Sequence, residues 1–246
     1  VLLLLLLLPT PLQAQDQDPD RRFSFETELG ASFFFGNTEQ VTFTNRSDLS
    51  RADSTAEFSL GWDITYGEAT DEEGVTFVNR RSWAGVTSVD LLPHARVSPF
   101  LFGTLEASLQ KRIDRRFSGG AGAKLTFVDS DVALADLSAA ALLERTVPLA
   151  DGPTDPEVQA RWSVRSRLRR SFDEDRLALT LEALYVPAFD DPGDFTFRGS
   201  SSVGFALSSV VSLKLSFVDA YDSGARARGA RTNNDGQLLF SILSRF

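Results

Sequence analysis

The stretch Val158-Gln159-Ala160-Arg161-Trp162-Ser163-Val164-Arg165-Ser166-Arg167-Leu168-Arg169 fixes the kind of element from which this chain is built. Val158, Ala160, Trp162, Val164 and Leu168 share one parity, while Gln159, Arg161, Ser163, Arg165, Arg167 and Arg169 hold the other. A period of two belongs to a β-strand, whose successive side chains point to opposite faces. An outward arginine costs about 2–4 kcal/mol at a bilayer midplane, so slipping this strand by one residue would cost on the order of 10 kcal/mol if its oily face met lipid. Length favours lipid too, because strands of soluble sheets run to about 5–6 residues and a tilted membrane strand needs roughly 9–11.

The same alternation recurs along the chain. Phe23, Phe25, Leu29, Ala31, Phe33 and Phe35 oppose Ser24, Glu26, Glu28 and Ser32; Ala56, Phe58, Leu60, Trp62, Ile64 and Tyr66 oppose Glu57, Ser59, Asp63 and Thr65. Strands are expected at 23–35, 40–51, 55–66, 75–89, 98–110, 117–128, 132–146, 158–170, 176–188, 195–207, 211–222 and 234–246. Twelve is an even number, as single-chain bacterial barrels require. The expected fold is all-β: one closed, antiparallel, up-and-down transmembrane β-barrel over 23–246. Placing both ends in the periplasm puts 36–39, 67–74, 111–116, 147–157, 189–194 and 223–233 outside, and the inner connections are mostly shorter. The pattern is weaker at 75–89 and 132–146, where Arg81 or Asp136 conflicts with a simple parity, which points to a bulge or a displaced strand boundary.

Composition agrees with this reading. The 246 residues include 42% apolar and 24% charged side chains and no cysteine, which excludes a disulfide framework and thiolate chemistry. The 34 acidic and 25 basic residues leave net −9, which argues against nucleic acid as a partner. Mean hydropathy of −0.10 excludes a bundle of membrane helices but not a barrel, since only alternate residues face lipid. Val1 to Leu8 form an apolar run too short to span a bilayer and suited to a secretory signal peptide, so 1–14 is expected to be cleaved after Ala14, leaving 15–22 as a short periplasmic segment.

Two checks are independent of the strand boundaries. Beyond Pro19, the prolines (93, 99, 148, 153, 156, 187 and 192) fall in connections or at strand ends, where a missing N–H breaks no ladder. Tyr66, Tyr185 and Tyr221, with Phe77 and Phe195, fall near one level, as an interfacial aromatic girdle requires; Phe35 and Phe117 share that level. Leu238, Phe240, Ile242 and Phe246 alternate to a terminal aromatic, which resembles the insertion signal read by the barrel-insertion machinery.

Gly36-Asn37-Thr38, Phe117-Ser118-Gly119-Gly120-Ala121-Gly122-Ala123 running into Val128-Asp129-Ser130-Asp131, Tyr221-Asp222-Ser223 and the Phe246 ending together resemble the salt-induced outer-membrane proteins, a bacterial domain of unknown function. The resemblance spans essentially all of 23–246 and implies an outer-membrane barrel in the cell envelope. It implies no catalytic or ligand-binding residue. The extended, proline-containing connection 147–157 departs from the family pattern.

The inward set expected to line the lumen carries Glu26, Glu28, Glu57, Asp63, Arg161, Arg165, Arg167, Arg169 and Arg198, together with Arg46, Glu106, Lys124, Glu144, Glu182 and Lys214. If opposite charges pair across the lumen, the barrel is plugged; if they separate onto opposite walls, water and small solutes pass through a transverse field. The one histidine, His94, falls in an inner-side turn, away from any lipid substrate at the outer rim, and acids facing a lumen more often pair or line water than catalyse. Acidic loops (Glu68-Asp71-Glu72-Glu73, Asp190-Asp191-Asp194) and basic ones (Lys111-Arg112-Arg115-Arg116, Arg226-Arg228-Arg231) are read first as solvated; the basic ones would meet lipopolysaccharide phosphate at a barrel rim. No phosphate loop or metal-ligand spacing occurs, and neither cofactor nor metal is expected. The expected function is therefore non-enzymatic: envelope integrity or an osmotic and salt response, with passive passage of small solutes. A lipid-acting enzyme on a barrel scaffold is the alternative.

Overall fold

A computed structural model describes residues 22–34, 39–71, 73–130, 132–150, 155–173 and 176–245. The expected leader 1–14, the Gly36-Asn37-Thr38 motif and the terminal Phe246 lie outside the described residues. Twelve strands follow in chain order: β1 Arg22–Phe34, β2 Glu39–Ala52, β3 Ala56–Thr70, β4 Thr76–Leu91, β5 Val97–Ser108, β6 Ile113–Ser130, β7 Ala133–Pro148, β8 Glu157–Phe172, β9 Leu177–Pro187, β10 Phe195–Ala206, β11 Val211–Asp222 and β12 Asn234–Arg245. Each pairs antiparallel with its sequence neighbours, and β1 pairs with β12 to close the barrel. Closure leaves no sheet edge, so the wall satisfies its backbone polar groups within itself.

The ends of β1 and β12 lie at one mouth, here called proximal. The connection after β11, 223–233, lies at the other, distal mouth with the β5–β6 and β9–β10 connections. One parity of each strand points outward and is oily: Leu29, Phe43, Ile64, Leu143, Phe217, Phe240 and Ile242 are all exposed. Between β1, β2 and β3 this surface holds a small polar island that is closed on itself. Asn45 Nδ2 donates to Thr27 Oγ1 (3.3 Å), Trp62 Nε1 donates to Asn45 Oδ1 (3.1 Å), and Thr27 and Ser47 share a hydrogen bond of 2.9 Å. Such pairing is what polar groups facing hydrocarbon require.

The weak alternation at 75–89 is a bulge: Asn79 is looped out where the β3–β4 register shifts at Gly67/Glu68. β7 carries none of its own, since it pairs with β8 without interruption and the shift between Thr126 and Val128 belongs to β6. Asp136 holds the inward parity of β7 with Ser138 and Glu144, opposite Arg167. The expected outer connection 111–116 needs correction. β6 begins at Ile113, because a further shift between Ile113 and Arg115 lets the ladder with β7 continue to Pro148. Arg115 and Arg116 are thus strand residues, and Arg116 is turned into the lumen.

Candidate functional site

A side chain that reaches a strand other than its neighbour must cross the interior, and several do. Arg116 on β6 donates from Nη2 to Asp222 Oδ2 on β11 at 2.8 Å. Arg80 on β4 reaches Asp235 on β12 at 3.0 Å. Asp222 also forms an ion pair with Arg228 Nη2 at 2.7 Å, and Arg228 Nε donates to the Lys111 carbonyl, so the 223–233 connection folds over the distal mouth. Around this centre Arg161 pairs with Glu144 (3.0 Å) and Asp194 (2.8 Å), and Lys111 with Glu106 (2.6 Å). The side chains of Arg116, Glu144 and Arg161 are each 7% exposed and that of Asp222 4%. Buried charges persist only when paired and hydrogen-bonded, and here each is shared by two or more partners. A cavity of about 220 Å³ lies beside the knot, lined by Arg116, Glu144, Gln159, Arg161, Asp194 and Arg228 among others.

Nearer the proximal end the charges are arranged differently. Arg46 bonds Asp63 through Nε and Nη2 (3.0 and 2.7 Å), Arg167 bonds Asp136 (2.9 and 2.7 Å), Lys214 reaches Glu28 (2.7 Å), and Lys124 reaches Asp90. Glu28 also accepts the Ser241 hydroxyl. Yet Arg165, Arg169 and Arg198 form no ion pair with any described residue, and Arg165 Nε has no hydrogen-bond partner. Asp48, Glu57 and Glu182 likewise form none. Arg165 and Arg198 flank Leu184 on one register row across β8, β9 and β10. Asp48, on β2, stands among the opposite charges of Arg46 and Lys214 and the like charges of Glu26 beside it and Glu182 across the lumen. Asp48 and Arg198 remain exposed although they point inward, so this waist is open to water while the distal mouth is not.

Of the residues expected to line the lumen, Glu28, Asp63, Arg161 and Arg167 stand in these ion pairs, whereas Arg165, Arg169, Arg198 and Glu57 stand apart from them. Glu26 sits on the parity of Glu28, opposite Asp48. Tyr185, Phe195 and Tyr221 form a ring ladder on the outer face with centroid spacings of 5.3 and 5.0 Å, extended by Trp162 at 5.8 Å from Tyr185. Tyr66 stands apart and donates to Glu68 (2.6 Å), and Phe77 lies beyond the bulge, opposite Ala69. His94 is exposed in the proximal turn between β4 and β5. Sequence reasoning missed Asp222, Asp194 and Asp48 as lumen groups, and missed Phe100 and Phe102, which point inward over Gly122 and Gly120. The even parity shared by Arg116, Ser118 and Lys124 was a usable signal for Arg116. Among the described residues no cluster of three or more His, Asp or Glu could hold a metal ion.

This architecture is shared with solved outer-membrane barrels. The NanC porin superposes with a TM-score of 0.51 at 5% identity, covering 91% of this chain and 98% of that one. A KdgM porin in complex with disordered oligogalacturonate gives 0.49 at 9% identity, covering 91% and 99%. The β domain of the Bordetella autotransporter BrkA gives 0.43 at 12% identity, covering 92% and 99%. At such identities the likeness concerns the fold alone. No curated protein matches the sequence. A family model described as a protein of unknown function, DUF481, matches residues 27–246, nearly the whole barrel, and the chain belongs to that family.

Proposed function

We propose that this protein is a passive, non-enzymatic pore of the bacterial outer membrane for small solutes, with its distal mouth outside and held shut by an ionic knot. One contrast carries the reading: the knot around Arg116 and Asp222 is buried, whereas Asp48 and Arg198 at the waist are wet. A barrel that served only as a wall would have no need of charges left without ion pairs on opposite sides of a hydrated lumen. The ionic character of the closure supplies a physical route to the salt response that the sequence resemblance implies, since electrolyte weakens its more exposed pairs, Arg80–Asp235 first. The outward Arg115 and Arg145 at the distal rim suit lipopolysaccharide phosphate, and the alternation of Leu238, Phe240 and Ile242 suits the insertion machinery.

Planar-bilayer recording of the refolded full chain tests this. Wild-type protein should open in discrete steps, and Asp222→Asn, which takes one carboxylate from both Arg116 and Arg228, should raise the open probability several-fold. If neither conducts, the barrel is a structural element of the envelope, and only a permeability or osmotic phenotype on deletion would follow.

A further inference from the structure

We infer that the waist is a binding site for a small zwitterion, a solute that carries one carboxylate and one ammonium on a short carbon frame. The inference rests on the pore reading and deepens it by naming what passes. Two guanidinium groups without acidic partners, Arg165 and Arg198, stand on one register row, and Arg165 presents an Nε with no hydrogen-bond partner. Guanidinium forks match a carboxylate bidentately. Two carboxylates that form no ion pair among the described residues belong to the same section: Glu182 on β9, the strand between the two arginines, and Asp48 across the lumen from it, where Arg46 and Lys214 are also near. Glu182 lies two residues from the Leu184 row, about 7 Å along β9.

Groups of both signs thus remain without an ion pair within one hydrated section, beside the paired Arg46–Asp63 and Arg167–Asp136. A simple anion would relieve the arginines and leave the acids in mutual repulsion. A simple cation would do the reverse. A zwitterion lying across the lumen relieves both. The cationic half is an organic ammonium rather than a metal ion, because the acids do not converge into a set of three ligands among the described residues.

Liposome swelling with the refolded full chain compares threonine with erythritol, a neutral solute of similar size. Threonine should enter at least three-fold faster. Both Arg165→Gln/Arg198→Gln and Asp48→Asn/Glu182→Gln should bring that ratio to about one without slowing erythritol. The wild-type reversal potential in a KCl gradient should be near zero. Equal wild-type rates, or a strong preference for chloride or potassium alone, would overturn the zwitterion site while leaving a pore. If no solute enters at all, the pore reading fails instead, and the site is then judged by equilibrium dialysis of labelled threonine against protein in detergent micelles. Saturable binding lost in both double variants sustains the site, and absence of such binding overturns it.

Discussion

At Gly122 the lumen has no room for a methyl group. A Cβ there would fall on the Ala139 carbonyl oxygen, the Ala140 Cβ and the edge of the Phe100 ring, the last two at 2.7 Å. Since a backbone carbonyl cannot step aside, Gly122→Ala should cost about 1–3 kcal/mol, the usual range for overpacking. Gly204 provides the contrast, because its would-be Cβ meets nothing nearer than 3.9 Å and Gly204→Ala should be close to neutral. Urea titration of both variants in micelles, followed by the gel mobility of folded and unfolded barrel, measures the difference. The same crowding explains the glycine-rich run of β6: Phe100 lies opposite Gly122 and Phe102 opposite Gly120, so the absent side chains make space for two inward rings.

At the scale of the element, β8 offers a test that separates its two faces by a single residue. Val164 faces outward between Trp162 and Ser166, whereas Ser163 faces the lumen opposite Ala140. Val164→Arg should therefore lower stability by about 2–4 kcal/mol, and Ser163→Arg, one position away, should cost little. Folding yield into bilayers of both variants checks the pair; equal yields would mean that β8 does not lie in hydrocarbon. Strands such as β8 were legible in the sequence, since a period of two with arginines on one parity admits one register. The first turn of β6 was not, because the Ile113/Arg115 irregularity hides the alternation and a cluster of basic residues reads as a loop. The knot was not legible either. Arg116 and Asp222 are distant in sequence, and only closure of the cylinder brings β6 and β11 face to face. For the waist, the arginines were visible as a stave, but which of them lacked an acid depended on neighbours that strand parity alone does not rank.

The whole molecule is layered along its axis, with shared buried ion pairs distally and unneutralised charge in the middle. Added salt should act unevenly on these layers. Screening shortens from about 10 Å at 0.1 M to about 3 Å at 1 M, and it weakens exposed pairs more than buried ones. Arg80–Asp235, with side chains 22% and 41% exposed, should loosen before Arg116–Asp222. Open probability in planar bilayers is thus expected to rise between 0.1 and 1 M KCl (about 10 to 3 Å of screening), and to rise less in Asp222→Asn, where the knot is already undone. The join of the cylinder adds a mechanical consequence. Among the described residues the β1–β12 ladder runs from Glu26↔Arg245 to Gly30↔Ser241, while β1 and β2 stay paired from Arg22↔Ala52 to Phe34↔Gln40. Glu28 fastens that short seam from within, holding Ser241 of β12 and Lys214 of β11 at once. Under heat or traction the staves should part there first, with Glu28 as the rivet that gives way.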